Sequence, residues 1–267
     1  MSATVVTCYY RFPSKHSYEK YDVWISQFLS VVNCNLVIFT SFDLLRFIYE
    51  KIPVSLQYRA YIIPIDFENL DIYRKYQHLW DQQYTIDPDP GCGRSKECYV
   101  LWNSKLWFLH KAIQQNPFQS DKFVWTDIGS LRTPNASLFH NIHHRYPLYD
   151  KISGSRIDIA MIEPIEDPHQ TVFVGEVHFS GTIFGGHKDT ITVFHNLFYK
   201  KLDEHIQKGI FVGCDQQTIS SVYNENRDLF HCISSNHVVI DEFQWFYLWL
   251  YYSNIEFSTS SFSFVSL

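Results

Sequence analysis

An α/β fold with a mostly parallel central sheet flanked by helices is what this chain predicts, and three observations predict it. Short β-branched or aromatic runs alternate with stretches whose apolar residues return at helical spacing, the pattern of β–α–β units. The run KFVW, Lys122 to Trp125, is apolar after its first residue, as a strand covered on both faces is. No repeat, Gly/Ser linker or block of like charge interrupts the alternation, so the units read as one domain.

The elements follow in order. Ala3 to Tyr10 is β-branched and reads as the first strand, and SYEKYDVWISQFLSVV after Pro13 as the first helix. NLVIFTS (Asn35 to Ser41) and FDLLRFIYEKI repeat the pair, with Pro53 closing the helix. YRAYIIPIDF is a third strand and ENLDIYRKYQHLWDQQY a third helix. DPDPGCG, Asp87 to Gly93, is a loop because its prolines and glycines forbid regular structure. CYVLWNSKLWFLHKAIQQN then reads as one long helix stopped by Pro117, and the strand KFVW delivers Asp127 at its carboxyl end. Beyond it RIDIAMIEP and EVHFSGTIFGG are strand-like, HKDTITVFHNLFYKKLDEHIQKG is a helix ending at Gly209, and CDQQTISSVYNENRDLF is a further helix. The carboxyl half reads as less regular than the amino half. Within the single domain, residues 1–120 read as a nucleotide-binding half, 121–240 as the part bearing the motifs, and 241–267 as an aromatic carboxyl segment.

Composition narrows the function classes. A chain of 267 residues can bury roughly 70% or more of its surface, so a full core is expected. Aromatics make up 18% and charged residues 19%, which speaks against disorder. A net charge of -6 with no clustered basic stretch argues against a nucleic-acid partner, since phosphate neutralisation needs such a surface. The six cysteines have neither CxxC spacing nor a basic, apolar leader ahead of them, which reads as free thiols in the cytoplasm. FQWFYLWLYY, Phe243 to Tyr252, is strongly apolar but far short of the roughly twenty residues a spanning helix needs. It reads as a packed helix without membrane contact, or as a homodimer face.

Three places carry residues suited to chemistry. In KFVWTDIGSLR, Asp127 falls where ligands bind in open α/β sheets, outside the carboxyl ends of the strands. A buried carboxylate there needs a cation, and Arg132 is the candidate in the same stretch. In FSGTIFGGHKD, Gly181, Gly185 and Gly186 suggest a close-approach loop before a helix start that could receive an anion, with a plain tight turn as the simpler reading. In FVGCDQQTISS, Asp215 sits where an N-cap belongs, beside Gln216 and Gln217, whose amides suit sugar hydroxyls. His143 and His144 are adjacent but have no companion at ligand spacing and read as a polar loop.

Taken together, NSKLWFLHKAIQQNPFQSDKFVWTDIGSLR and GGHKDTITVFHNLFYKKLDEHIQKGIFVGCDQQTISSVYNENRDLF resemble the HtrL/YibB family of glycosyltransferase-like proteins, over roughly Trp102 to Phe230. More broadly the chain is similar to the GT-A superfamily, a Rossmann-like α/β fold whose enzymes hold a nucleotide-diphospho sugar through a divalent metal at a D-x-D motif. The resemblance implies that Asp127 is the first carboxylate of that motif, near metal and ribose, while Gly129 stands at the second position and cannot be a ligand. It implies Mn2+ or Mg2+ as cofactor, with a substitute ligand such as His237 or Asp215, and Lys105 and Arg132 as diphosphate partners. Gly185 and Gly186 match the family's glycine pair, and Asp215 with Gln216 the D-Q pair that faces the sugar. A UDP-sugar donor and a glycan or other hydroxyl acceptor are the expected partners. The missing second carboxylate leaves two other readings open: a nucleotide-sugar-binding protein that has lost catalysis, and a metal-dependent hydrolase with Asp127 and Asp215 as its acid and base. The hydrolase reading requires those two carboxylates within about 10 Å of each other.

Overall fold

A computed structural model describes residues 2–132, 140, 142–143, 145–234 and 245–255; the side chain of Cys92 is not described. The described residues form one seven-stranded sheet in the order β3-β2-β1-β4-β6-β5-β7. Its strands are β1 (Ala3–Tyr9), β2 (Asn35–Thr40), β3 (Ala60–Pro64), β4 (Lys122–Thr126), β5 (Ile157–Met161), β6 (Phe179–His187) and β7 (Phe230–Ser234). β1 pairs in parallel with β2 and β4, β2 with β3, and β5 with β7, while β6 runs antiparallel between β4 and β5. The sheet is therefore mostly parallel, as the alternating pattern predicts. The carboxyl half supplies β5, β6 and β7.

Helices cover both faces. On one side α1 (Tyr18–Val31), α2 (Leu45–Lys51) and the short α3 (Val54–Gln57) bury Ile25, Phe28 and Ile48 against Val5, Ile38 and Val124. On the other, α6 (Lys96–Asn103), α7 (Lys105–Gln115), α8 (Lys188–Gln207) and α9 (Asp215–Glu225) enclose Val6, Phe39, Phe123 and Trp125 with Phe108 and Phe194. Neighbouring strand residues such as Val5 and Val6 thus enter different cores, the period-two alternation of a strand covered on both faces.

Two helices expected as single are each divided. The third expected helix is α4 (Asp71–Tyr76) and α5 (Trp80–Thr85), separated at Gln77 to Leu79. The long stretch before Pro117 breaks at Ser104, whose Oγ returns to the Val100 carbonyl at 2.7 Å rather than capping the next helix. Such local hydroxyl bonds compete with helix continuation. The break makes Lys105 the first residue of α7.

The described part of the aromatic carboxyl segment contributes to the core. In α10 (Tyr247–Tyr252), Leu248, Trp249, Leu250 and Tyr252 are buried. Trp249 packs on Tyr146 with ring centres 3.9 Å apart and donates from Nε1 to Ser130 Oγ at 3.0 Å. Among the described residues no helix is long and apolar enough to cross a membrane.

The expected glycine loop is instead the body of β6. A Cβ on Gly185 would meet the Phe123 carbonyl oxygen at 2.7 Å and Val124 Cγ2 at 2.9 Å, and one on Gly186 the Arg156 carbonyl oxygen at 2.8 Å. These two glycines let neighbouring strands approach, a packing reason independent of any ligand. The helix start beyond them is already occupied, because the His187 side chain accepts from Asp189 N at 3.3 Å. Gly185→Ala is accordingly expected to destabilise the protein by about 1–3 kcal/mol through overpacking, read as a lower urea midpoint at unchanged slope.

Candidate functional site

Four elements meet at one point beyond the carboxyl ends of β1 and β4. Asp127 follows β4, and its backbone N–H donates to the Thr182 carbonyl at 2.9 Å, so it still lies in register with β6. Trp125 Nε1 donates to Asp127 Oδ1 at 2.7 Å and fixes that side of the carboxylate. Gly181 lies in β6 beside Thr182, Lys105 opens α7, and Asp215 opens α9. The N-cap of α9 is Cys214 rather than the expected Asp215, whose carboxylate Oδ1 accepts from Gln216 N at 3.1 Å. A carboxylate in the first turn suits the positive end of the helix.

Lys105 joins these elements. Its residue is 5% exposed, and Nζ donates to the Gly181 carbonyl at 2.8 Å while lying 3.0 Å from Asp215 Oδ2 and 3.5 Å from Asp127 Oδ2. The Asp215 contact is an ion pair by distance, but its angle leaves Oδ2 outside hydrogen-bond geometry. Burial alone would pull the Lys105 ammonium down; the Asp127 and Asp215 carboxylates outweigh it and hold the ammonium above the usual lysine range. Burial pushes the Asp215 carboxyl up, Lys105 opposes that, and Asp127 adds to it. Asp215 fits against β6 only because residue 181 is glycine: a Cβ there would lie 2.8 Å from its Oδ2.

A cavity of about 900 Å³ opens above this cluster. Its walls include Tyr10, Tyr21, Trp102, Trp125, Trp245 and Phe246, and its charged lining includes Lys15, Arg94 and Arg132 besides Asp89 and the central three. Arg94 ties the loop after α5 together through Asp89 Oδ2 at 2.8 Å and Asp87 Oδ2 at 3.6 Å. Arg132 donates from Nε to the Gly129 carbonyl at 2.7 Å and lies 4.2 Å from the Trp24 ring centre. Asp127 thus pairs with Lys105, not with the expected Arg132.

Of the residues singled out in the sequence, Lys105, Asp127, Gly129, Arg132, Asp215 and Gln216 line this cavity, whereas Gly185 and Gly186 lie outside its lining. Gln216 faces inward less freely than expected, because its Nε2 donates to the Phe179 carbonyl at 2.9 Å and its Oε1 accepts from Cys214 Sγ at 3.3 Å. Its neighbour Gln217 is 6% exposed and its Oε1 has no hydrogen-bond partner among the described residues. His237 and His144 lie outside the described residues. Sequence reasoning missed the supports. Asn103 Nδ2 bridges the Tyr99 and Val212 carbonyls at 2.8 and 2.9 Å, and its own carbonyl accepts from Tyr199 Oη at 2.7 Å. These bonds join the α6–α7 break to the segment entering α9, and nothing in local sequence announces them.

A divalent ion of the hard, oxygen-preferring kind takes about six or more ligands. Here the ammonium already lies between the two carboxylates, Gly129 brings no side chain, and its carbonyl is bonded to Arg132. Among the described residues no group of three His, Cys, Asp or Glu side chains could hold an ion. The described residues do not fit Mn2+ or Mg2+.

A family model described as "Bacterial protein of unknown function (HtrL_YibB)" matches residues 2–248. Among solved structures the chain is similar to the apo form of mouse xyloside xylosyltransferase 1, at 14% identity and a TM-score of 0.48, over 96% of this chain and 95% of that one. No curated protein matches the sequence.

Removing the ammonium leaves two facing carboxylates, so Lys105→Met is expected to cost about 3–5 kcal/mol near neutral pH. The Asp215 carboxyl then rises further above its unfolded value. A carboxyl raised on folding stabilises below its unfolded pKa, and that contribution is lost as pH climbs through the folded pKa. The gap between variant and parent should therefore be smaller near about pH 4 than near about pH 7, read by urea unfolding at both. An equal gap at the two would mean the lysine acts by packing alone.

Proposed function

The chain belongs to the HtrL/YibB family, and from that premise we propose that it is a glycosyltransferase moving a sugar from a nucleotide-diphospho donor, a UDP-sugar foremost, to a hydroxyl acceptor. The observation that carries the reading is the pair of carboxylates, Asp127 and the more deeply buried Asp215, held around the Lys105 ammonium at the floor of a cavity of about 900 Å³. Glycosyl transfer builds positive charge at the anomeric carbon, and a carboxylate facing that carbon stabilises it. The acceptor oxygen bonds to the anomeric carbon as the bond to the diphosphate oxygen breaks. The electron pair leaves with the nucleoside diphosphate, which also takes up the hydroxyl proton.

The cavity suits both ends of such a donor. Its aromatic walls offer faces for stacking a base and an apolar sugar face. Its volume lies in the range of pockets that enclose a whole ligand. The GT-A superfamily is the wider fold group consistent with this reading.

Hydrolysis by the same two carboxylates is the weaker alternative. Asp127 Oδ2 and Asp215 Oδ2 lie 3.5 and 3.0 Å from one nitrogen, so no more than 6.5 Å apart, within the separation such chemistry requires. But a hydrolase needs the sugar between its acid and its base. Here a buried ammonium holds that place.

In a thermal-shift panel of UDP- and GDP-sugars, at least one donor is expected to raise Tm, and Asp127→Ala to abolish that rise. Asp215→Asn should retain donor binding while slowing transfer by about a hundredfold or more. Silence across the whole panel would sink the transferase reading, and binding without transfer or slow donor hydrolysis would favour a protein that only binds.

A further inference from the structure

Three consecutive residues of β6 hold two things at once. The Gly181 carbonyl takes the Lys105 ammonium at 2.8 Å, and the Thr182 carbonyl takes the Asp127 N–H at 2.9 Å. Ser180 Oγ and Thr182 Oγ1 both donate to the Trp245 carbonyl, at 2.6 and 2.7 Å. The stretch that fixes the carboxylate and ammonium cluster therefore also fixes Trp245, just before α10, and does so through the backbone of that residue.

The Trp245 indole lines the cavity in a different condition from the rings around it. Trp125 stacks on Phe108 with ring centres 5.9 Å apart and gives its Nε1–H to Asp127. Trp102 packs 6.4 Å from Tyr99, and Phe246 lies 5.4 Å from the Arg132 guanidinium. Trp245 is partly exposed, and among the described residues its ring has no aromatic partner and its Nε1–H no hydrogen bond. The lining that β6 and the chain entering it supply, Gly175, Val177, Gly181 and Thr182, carries no charge.

On the transferase reading above, we infer that the acceptor is a saccharide and that Trp245 is the platform on which its ring stacks. A sugar ring presents a face of C–H groups edged by hydroxyls, and an indole presents an apolar face with one N–H donor at its edge. An uncharged wall suits a neutral sugar and offers a diphosphate nothing to bind. The donor sugar is tethered to its diphosphate, so the side left for the acceptor is the one β6 and Trp245 form. A saccharide stacked there presents a hydroxyl to the anomeric carbon: that oxygen forms the new bond as the bond to the diphosphate oxygen breaks, and the proton leaves with the nucleoside diphosphate. Trp245 takes no part in that step beyond holding the acceptor.

The test takes the whole protein, the UDP- or GDP-sugar that raises its Tm, and a panel of p-nitrophenyl pentosides and hexosides of both anomers, with n-octanol and N-acetylserine amide as alcohols that are not sugars. Initial rates against acceptor concentration give kcat and KM, and calorimetry gives the donor Kd, each with Mn2+ and with EDTA. At least one glycoside is expected to accept the sugar and the other alcohols are not. Trp245→Ala should raise that acceptor's KM by about tenfold or more while the donor Kd stays within about threefold. Trp245→Phe should recover part of the loss, because it keeps a ring face without the N–H. The bonds from β6 run to the backbone carbonyl, so both variants are expected to melt as the parent does, which separates a lost contact from a lost fold. An acceptor KM that ignores Trp245→Ala, a donor Kd weakened as much as the acceptor KM, or transfer to the other alcohols alone overturns the inference. Donor binding with no transfer to any glycoside overturns it as well and leaves the donor site standing, whereas no donor binding overturns both.

Discussion

One buried ammonium sets the terms for the rest of this structure. An ionised lysine removed from water costs far more than the net stability of a domain can absorb unless partners replace its hydration. Lys105 has three: the carboxylates of Asp127 and Asp215 and the carbonyl of Gly181. Each comes from a different element, so the charge can be buried only if β4, β6, α7 and α9 converge. The arrangement is mutual, since either aspartate without the lysine would be a buried anion in its turn.

Convergence is the work of the sheet order. β6 enters antiparallel beside β4, which lays Gly181 and Thr182 alongside Asp127 and brings the Gly181 carbonyl to the end of the parallel strands. The break at Ser104 then starts α7 at Lys105 instead of leaving that residue within a longer helix. A cation at a helix amino end is electrostatically unfavourable, and the two carboxylates more than offset it. Asn103 and Tyr199 hold the break from behind, so the ammonium is positioned by bonds that never touch the cavity.

Much of this was legible in the sequence, and the rest was not, for physical reasons. Strand and helix alternation, the strand-end position of Asp127 and the pairing of Asp215 with glutamines are local patterns, and the residues Lys105, Asp127, Arg132 and Asp215 do share one cavity. Local pattern could not say which partner each would find. Arg132 is close to Asp127 in sequence, yet Lys105, from the preceding helix, takes the carboxylate because tertiary packing brings α7 across β4. Glycines misled for the same reason: GG before a helix reads as a loop, whereas Gly185 and Gly186 are strand residues made necessary by neighbours distant in sequence. β7 goes unassigned in the sequence, after a helix expected to end at Phe230, because five residues are too few to show a strand period. Gln217 stands beside Gln216 with nothing in the sequence to rank them; the structure bonds the Gln216 amide to Phe179 and Cys214 and buries the Gln217 Oε1 without a hydrogen bond among the described residues.

The chemistry of the central cluster follows from which cation can coexist with which. Asp127, Asp215 and Lys105 together carry one net negative charge, to which a diphosphate is a poor neighbour unless further positive charge faces it. A divalent ion would supply that charge, but it would have to share with Lys105 the same carboxylate oxygens, at 3.0 and 3.5 Å from the ammonium. At about 4 Å and an effective dielectric near 20, an ammonium and a divalent ion repel by about 8 kcal/mol, comparable to the stability of a whole domain. At those oxygens the two cations would oppose each other. Lys105 is the first residue of a helix held from behind by Asn103 and Tyr199, and its ammonium is 3.0 Å from Asp215 Oδ2 and 2.8 Å from the Gly181 carbonyl. Further positive charge around the cluster comes from the other cations that line the cavity, Lys15, Arg94 and Arg132, none of which shares the carboxylate oxygens that Lys105 holds.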